Sequence, residues 1–289
     1  MEKRMRSIAG DRAQFPGACT GIVSKATVKG RRSPHQYVLT VKGGLCNRLR
    51  SLTSAQFLCA RRGATLCLIW NARPECPAEF KSLFEVPAGI VLGDPGTSAN
   101  TTYWDLGLGW ATPEYYRRVF LPELAPQEML ARVRPYVQGL RPVRGIRDRI
   151  EDHAKHWPAG IVGVHVRRTD HSRPTAQGRK FTRDIPSNAA LLRRLNALPP
   201  ERSFFVAADN PDSMRLLEDA YPGRVYSHPK RWLHAWRQTG VADAVVDLYC
   251  LARTSRIVGT FYSSFSEYAA LLGSLPIEYV DAEGEMPCG

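Results

Sequence analysis

Two patterns of apolar residues alternate along this chain: short continuous apolar runs, and longer stretches in which apolar residues recur at helical spacing. The first pattern is typical of strands buried on both faces of a parallel sheet, and the second of amphipathic helices. The runs predict strands at 37–41, 64–70, 160–166, 203–208, 224–226, 256–260 and 277–280. The helical spacing predicts helices at 45–59, 113–120, 126–137, 146–157, 187–198, 211–220, 242–252 and 263–272.

The alternation of strand and helix predicts an α/β fold with parallel sheets. At 289 residues the chain is long enough for two domains of ordinary size, each with its own core. We expect a loose basic leader at 1–34, a first Rossmann-like domain at 35–150 and a second Rossmann-like domain at 151–289. The boundary between the two is expected between Pro142 and Pro158.

The net positive charge of the chain favours partners that carry negative charge. The chain has 40 Lys and Arg residues against 27 Asp and Glu, a formal net charge of +13, which favours nucleic acid, an acidic membrane or a phosphorylated small molecule. The basic residues are spread along the chain, and no nucleic-acid-binding motif is present, so a nucleic-acid partner is not expected.

Residues 1–12 are charged and lack an apolar stretch, so we expect no secretory signal, and no apolar run is long enough to cross a bilayer. We therefore expect a cytoplasmic protein, although a shortened form of an anchored protein has the same pattern. The 7 cysteines are irregularly spaced, and no Cys-x-x-Cys pair is present. They are expected to be reduced, buried side chains rather than zinc ligands.

Charged side chains follow the predicted strand at 160–166 directly, beginning with Arg167 and Arg168 and ending with Asp170. Because ligands of open α/β sheets bind at the carboxyl ends of the strands, this position favours a binding site. Two adjacent arginines can hold a phosphate or diphosphate by forked, charge-assisted hydrogen bonds. The alternative is a surface turn in which arginine and aspartate pair with each other.

Gly43 and Gly44 separate the first predicted strand from the first predicted helix. Paired glycines let the backbone approach a ligand closely, and the start of a helix favours negative charge, so Asn47 and Arg48 on the first turn are candidate ligand contacts. The spacing is neither that of a dinucleotide fingerprint nor that of a P-loop. A helix-capping turn without a ligand explains these glycines equally well.

Three polar positions in the second half have two interpretations each. Asp209 ends a predicted strand and either binds a ribose or base or caps the next helix. Asp247 lies within an apolar helix, where a carboxylate needs a partner, so it either pairs with another helix or, as we favour, faces a ligand cleft. Ser263 and Ser264 open a helix and either bind phosphate or form a plain N-cap.

Aromatic residues are concentrated in the segment before the predicted boundary. Such a cluster either packs in a core, which is the more common case and the one we favour, or stacks on a sugar or base. The residues are Tyr103, Trp104, Trp110, Tyr115, Tyr116 and Phe120.

The motifs at 43–48, 164–170, 207–211, 247–249 and 260–266 resemble, in the same order, those of GDP-fucose-dependent fucosyltransferases. The chain is most similar to the α1,6-fucosyltransferases, which include core N-glycan and rhizobial nodulation enzymes, and more distantly to protein O-fucosyltransferases. The similarity runs from about residue 37 to residue 272 and is weakest at 71–150.

This resemblance implies a GT-B-like fold of two facing Rossmann-like domains, in which the C-terminal domain holds most of the GDP-fucose. It implies no cofactor beyond this donor substrate, no metal, and a glycan or other hydroxyl acceptor, with acceptor choice expected in 71–150. Arg167 would bind the diphosphate and offset the charge on the leaving GDP. The other implied donor contacts are Gly43, Gly44, Asn47, Arg48, His165, Arg168, Asp209, Asn210, Asp247, Ser263, Ser264 and Phe265.

The implied reaction inverts the anomeric centre, and a fixed arginine does what a divalent metal does elsewhere. Where core-glycan enzymes carry a glutamate implicated as general base, this chain has Thr175, which cannot act as a base near neutral pH. Either Asp170, His171 or Asp184 substitutes for it, or a loose, cation-like transition state needs little help from a base. Asp170 and His171 join Arg167 as predicted catalytic residues. An altered base position also leaves open an inactive sugar-binding protein.

Two further alternatives remain, one that differs in the donor and one that differs in the class of protein. The same scaffold could use another nucleotide sugar, which donor competition by GDP, UDP and ADP would reveal. A basic α/β nucleic-acid-binding protein is a third hypothesis, and it predicts steeply salt-dependent binding to oligonucleotides.

Overall fold

A computed structural model describes residues 36–94, 102–105, 112–169, 186–232, 239–261 and 263–280. Within these ranges the chain is α/β, with all paired strands parallel, as the alternating pattern predicts. None of the helices in these ranges is both long enough and apolar enough to cross a bilayer.

The first sheet has 4 strands in the order β3-β2-β1-β4. The strands are β1 (Gln36–Thr40), β2 (Thr65–Ile69), β3 (Ile90–Leu92) and β4 (Thr102–Asp105). Five helices belong to this half: α1 (Leu45–Arg61), α2 (Phe80–Leu83), α3 (Pro113–Phe120), α4 (Pro126–Gln138) and α5 (Arg144–Ala154). Because β2 and β4 both pair with β1, the strand order reverses direction beside β1.

The second sheet has 5 strands in the order β7-β6-β5-β8-β9. The strands are β5 (Val162–Val166), β6 (Phe204–Ala208), β7 (Val225–Tyr226), β8 (Ile257–Thr260) and β9 (Ile277–Val280). The helices are α6 (Asn188–Asn196), α7 (Pro211–Ala220), α8 (Val241–Leu251) and α9 (Ser264–Gly273). This is a Rossmann-like order, whose switch point lies between β5 and β8.

An apolar layer of helices joins the two sheets. The largest buried cluster of the described residues includes Leu49 of α1, Val133 of α4, Val245 of α8 and Tyr268 of α9, so helices of both halves share one core. The expected division into a domain at 35–150 and one at 151–289 stays a prediction. The shared core fixes α1, α8 and α9 relative to one another, and these three helices build the site described below.

The structure differs from the sequence pattern at one strand boundary and in three elements that were not predicted. The predicted strand at 160–166 begins only at Val162, because Gly160 has φ +71° and forms a left-handed turn before it. The helix α2 and the strands β3 and β4 were not predicted. They lie in a segment where Pro and Gly recur, which is typical of loops.

Two predictions about buried residues are confirmed where the structure describes them. Tyr116 is fully buried and its hydroxyl lies 3.0 Å from Ser51 Oγ, so it belongs to the core. The described free cysteines are all buried: Cys46, Cys59, Cys67, Cys76 and Cys250.

Candidate active site

A cleft lies where the switch points of both sheets meet. One wall is the first turn of α1, which follows β1, and the others come from the ends of β5 and β6, from α8 and from the first turn of α9. The lining residues are Gly44, Leu45, Cys46, Asn47, His165, Arg167, Thr169, Ala207, Ala208, Asp209, Thr239, Ala244, Asp247, Ser264 and Phe265. The cleft volume is about 90 Å³. This is below the ~300–1,000 Å³ usual for a whole small-molecule site, so the cleft would enclose only part of a larger ligand.

The end of β5 is held in place by β8 and α9. The Thr260 hydroxyl accepts a hydrogen bond from the Arg167 backbone N–H and donates one to the His165 carbonyl, both at 3.0 Å. His165 Nδ1 lies 2.7 Å from Ser266 Oγ, and its ring stacks on Phe265 with centroids 4.8 Å apart. The backbone of Arg167 and the ring of His165 are therefore fixed before any ligand arrives.

Asp209 holds the turn that follows β5. Its Oδ2 accepts hydrogen bonds from the Arg168 and Thr169 backbone N–H groups and from the Thr169 hydroxyl, at 2.7–2.9 Å. Asp209 does not cap the next helix. That role falls to Asn210, whose Oδ1 accepts from the Ser213 N–H. Asp209 lines the cleft as well, so it both fixes the arginine turn and presents a carboxylate to it.

Arg168 lies on this turn but is not one of the lining residues. Its guanidinium donates to Asn188 Oδ1 and to the Pro186 carbonyl at the start of α6. Burial lowers the pKa of Arg168, and the nearby Asp209 opposes that shift. Of the two adjacent arginines, Arg167 is therefore the one that the structure places at the cleft.

The glycine turn after β1 is braced from behind. Gly43 has φ +80°, the left-handed region that suits glycine. Arg48 is fully buried; it donates to the Gly43 and Asn71 carbonyls at 2.7 Å each, and its guanidinium lies 5.0 Å from the centre of the Trp70 ring. Arg48 does not line the cleft, whereas Asn47 does.

Both interpretations of Asp247 hold in the structure: its side chain lines the cleft, and it also has basic partners. His228 Nδ1 lies 2.9 Å from Asp247 Oδ1, and Lys230 Nζ donates to Asp247 Oδ2 at 2.5 Å. All three side chains are almost fully buried. Both partners come from the segment after β7.

The pair extends into a network behind the cleft. Arg149 of α5 contacts Asp243 at 2.5 Å, and Asp243 lies 3.6 Å from His228 Nε2. Burial alone would lower the pKa of His228, but Asp243 and Asp247 outweigh it and raise the pKa above the ordinary 6.5. Burial alone would raise the pKa of Asp243, but His228 and Arg149 outweigh it and lower the pKa below 3.8.

Ser263 stands at the N-cap of α9 without the capping hydrogen bond that its position predicts. Its hydroxyl is fully buried and has no hydrogen-bond partner among the described residues. A buried hydroxyl without a partner costs free energy, so Ser263 is an unsatisfied group directly behind the cleft wall. Ser264, the next residue, lines the cleft.

The structure brings most of the predicted site residues to one place. Those that line the cleft are Gly44, Asn47, His165, Arg167, Asp209, Asp247, Ser264 and Phe265. Those that support it without lining it are Gly43, Arg48, Arg168, Asn210 and Ser263. Asp170, His171, Thr175 and Asp184 lie outside the described residues, so the predicted catalytic roles of Asp170 and His171 stay predictions. Among the described residues, no group of three or more His, Cys, Asp and Glu side chains has the arrangement of a metal site.

Sequence reasoning missed His228, Lys230 and Thr260. A signal for the first two was present, because a carboxylate buried in an apolar helix requires a basic partner. His228 and Lys230 are basic residues just after a predicted strand, at the edge of the sheet where ligands bind. Thr260 carried no comparable signal.

No protein-family model and no curated protein matches the sequence. The fold is similar to NodZ, an α1,6-fucosyltransferase of Bradyrhizobium, in a structure co-crystallised with GDP; the TM-score is 0.61 and the identity 20%, over 89% of this chain and 98% of that chain. A second NodZ structure, soaked with GDP-fucose, gives a TM-score of 0.60 and 21% identity over 88% of this chain and 98% of that chain.

A mutant of FUT1 from Arabidopsis thaliana in complex with GDP gives a TM-score of 0.57 and 14% identity, over 89% of this chain and 72% of that chain. The fold neighbours thus agree with the resemblance found in the motifs. At these identities they establish a shared α/β fold.

Proposed function

We propose that this chain is a glycosyltransferase that moves fucose from GDP-fucose to a hydroxyl group of a glycan or other acceptor. The observation that carries the proposal is the cleft at the two switch points, where Asn47, His165, Arg167, Asp247 and Ser264 meet. Solved structures with this fold contain GDP or were soaked with GDP-fucose, which supports the same donor here.

The positive groups at the cleft suit a diphosphate. Arg167 supplies a permanent cation, and the start of α9 supplies partial positive charge and the hydroxyl of Ser264. Asp247 would repel a diphosphate if it stood alone, but Lys230 and His228 balance its charge. Its carboxylate keeps lone pairs with which to accept hydrogen bonds from a base or ribose.

In the proposed reaction the acceptor oxygen forms a bond to the anomeric carbon of fucose on the face opposite GDP. The bond from that carbon to the phosphate oxygen breaks, and its electron pair leaves with GDP, so the anomeric centre inverts. The acceptor proton passes to a base, for which Asp170 and His171 remain the proposed candidates. Negative charge develops on the diphosphate, where Arg167 and the start of α9 stabilise it without a metal ion.

The proposed architecture is the GT-B arrangement, with an acceptor-side domain at 35–150 and a donor-binding domain at 151–289. The four-stranded and five-stranded sheets support this assignment, since each contributes one switch point to the cleft.

A transfer assay tests the proposed function. Release of the nucleoside diphosphate is measured with GDP-fucose, GDP-mannose and a UDP-sugar as donors. Oligosaccharides serve as acceptors, and each reaction is run with and without EDTA. We expect turnover with GDP-fucose, no effect of EDTA, and an inverted anomeric configuration in the product by NMR. Faster turnover of the UDP-sugar would refute GDP-fucose as the donor. Loss of activity in EDTA would refute the metal-independent step.

A further inference from the structure

A second cavity, with a volume of about 730 Å³, runs along α9 away from the cleft. One wall is α9 itself, from Glu267 to Ser274, and the opposite wall comes from the starts of α3 and α4. The far end is formed by Pro276, Ile277 and Tyr279. We call this cavity the α9 groove. Its volume lies within the ~300–1,000 Å³ typical of small-molecule sites.

The α9 groove begins one helical turn from the cleft. On α1, Asn47 lines the cleft and Arg50 lines the groove; on α9, Ser264 lines the cleft and Glu267 lines the groove. Residues three apart on a helix share a face, so each helix presents one residue to each cavity on the same side. The near end of the groove, at Arg50 and Glu267, therefore lies one helical turn from the cleft on both helices.

Direct contacts join the two cavities. Arg50 donates to Glu267 Oε2 at 2.5 Å and to Asn47 Oδ1 at 3.1 Å. The ion pair therefore ties the groove wall to a residue that lines the cleft. A ligand that moves Arg50 or Glu267 would therefore change the contacts of Asn47.

The lining of the α9 groove favours an uncharged ligand with both polar and apolar faces. Its charged residues are two arginines, Arg50 and Arg134, and two glutamates, Glu114 and Glu267, so no excess of either sign selects an ion. Apolar surface lies between them, from residues such as Leu130 and Ile277. A saccharide matches this mixture, because its hydroxyls hydrogen-bond to charged side chains while its C–H faces lie on apolar or aromatic groups.

We propose that the α9 groove binds the acceptor as an uncharged oligosaccharide, with Arg50 and Glu267 as hydrogen-bonding partners of its hydroxyl groups. This inference rests on the proposed function, since the cleft would hold the donor. It assigns acceptor choice to α3, α4 and α9. The first two lie in the 71–150 segment where the sequence predicts acceptor choice, and α9 lies outside it.

Saccharide binding to the full chain is measured first without any donor. Saturation-transfer NMR uses neutral hexose and N-acetylhexosamine oligomers, with sulfated oligosaccharides as the charged comparison. The variants are Glu267→Gln, which removes the carboxylate, and Leu130→Trp, which narrows the groove at a side chain that is 41% exposed. The matched control is Val119→Trp, at a side chain that is 49% exposed on α3 outside the groove.

We expect the neutral oligomers to bind, and Glu267→Gln and Leu130→Trp to weaken that binding at least tenfold. Leu130→Trp, which does not touch the Arg50 contacts, should keep the wild-type melting temperature and the wild-type affinity for GDP. Val119→Trp should bind like wild type. Wild-type saccharide affinity in both groove variants, or preference for the sulfated oligomers, would overturn the groove assignment. A different result would separate the two proposals. If the wild-type protein binds saccharide but not GDP, and the groove variants lose the saccharide binding, the proposed function is refuted and the groove assignment stands.

Discussion

Asp247 shows how one side chain can serve both folding and binding. A carboxylate within the apolar helix α8 is costly to bury, and here the cost is offset by Lys230 and His228. The same two partners keep the cleft from presenting an unbalanced negative charge to the proposed anionic donor. We therefore expect substitutions at His228 and Lys230 to affect stability and donor affinity together.

Lys230→Met tests this pairing. Lys230→Met leaves the buried carboxylate of Asp247 with His228 as its one basic partner among the described residues, so the free energy of unfolding should fall by about 3 kcal/mol. Lys155→Met is the matched control, since Lys155 pairs with Asp152 at the surface and its side chain is 56% exposed. Its effect should stay below about 1 kcal/mol. Urea unfolding measures both, and equal effects would contradict the buried pairing.

Single residues also show the limit of sequence reasoning at the site. The apolar run around Asp247 was enough to mark it, but its partners lie 17 and 19 positions away, and no local pattern links them. The position of Arg48 on the first turn of α1 suggested a ligand contact. Since α1 is buried on nearly all sides, a first-turn residue can point to the cleft, as Asn47 does, or to the core, as Arg48 does.

The start of α9 organises the site at the level of elements. Ser264, Phe265 and Ser266 occupy its first turn; the first two line the cleft, and Ser266 hydrogen-bonds to His165. The helix can take this position because Gly259 of β8 has no side chain. A Cβ atom at Gly259 would lie 2.7 Å from the Cβ and Oγ of Ser266.

Gly259→Ala should therefore displace the first turn of α9. We expect a loss of about 1–3 kcal/mol in the free energy of unfolding, as for other overpacked sites, and weaker GDP binding because His165 loses its fixed position. Gly145→Ala is the control; a Cβ there meets no atom within 4 Å, and alanine favours the helix α5, so stability should be unchanged or slightly higher. Calorimetry on both variants makes the comparison, and unchanged GDP affinity in Gly259→Ala would contradict the role given to α9.

Strands in the regular alternation of the chain were predictable, and those in the segment rich in Pro and Gly were not. The apolar runs predicted β1, β2, β5 and β6, because each is a five-residue strand of mostly apolar residues. The strands β3 and β4 lie in a segment where Pro and Gly recur, which is typical of loops. Their places in the first sheet come from pairing with distant strands, which single-sequence patterns do not encode.

At the scale of the whole molecule, the network behind the cleft couples stability to pH. The pKa of His228 is raised on folding, so its protonation stabilises the folded state fully below about pH 6.5, its ordinary pKa. That contribution is lost as pH rises through the raised pKa. Asp243, whose pKa is lowered, contributes above about pH 3.8 and loses its contribution as pH falls through the lowered value.

We therefore expect the free energy of unfolding to decline as pH rises from about 6.5, and His228→Gln to remove most of that slope. The other charged or titratable groups near His228 are His153 of α5, Asp247 and Lys230, while Arg149 acts through its ion pair with Asp243. His156→Gln, at an exposed position, is the control and should keep the wild-type slope. Urea unfolding across pH 5–9 measures the free energy of unfolding at each pH. An unchanged slope in His228→Gln would contradict the claim that protonated His228 stabilises the folded state.

The most direct test of the account asks whether the cleft binds a guanine nucleotide through Arg167. Melting temperature and calorimetric affinity are measured with GDP, GDP-fucose and UDP, for wild type, Arg167→Ala and the control Arg215→Ala, whose side chain is 69% exposed on α7. A ligand at 100 times its Kd stabilises the folded state by about 2.7 kcal/mol. We predict this stabilisation by GDP and GDP-fucose in wild type and Arg215→Ala, and at least tenfold weaker binding in Arg167→Ala, with unchanged stability without ligand. No shift with either guanine nucleotide in wild type, or full GDP affinity in Arg167→Ala, would contradict the account.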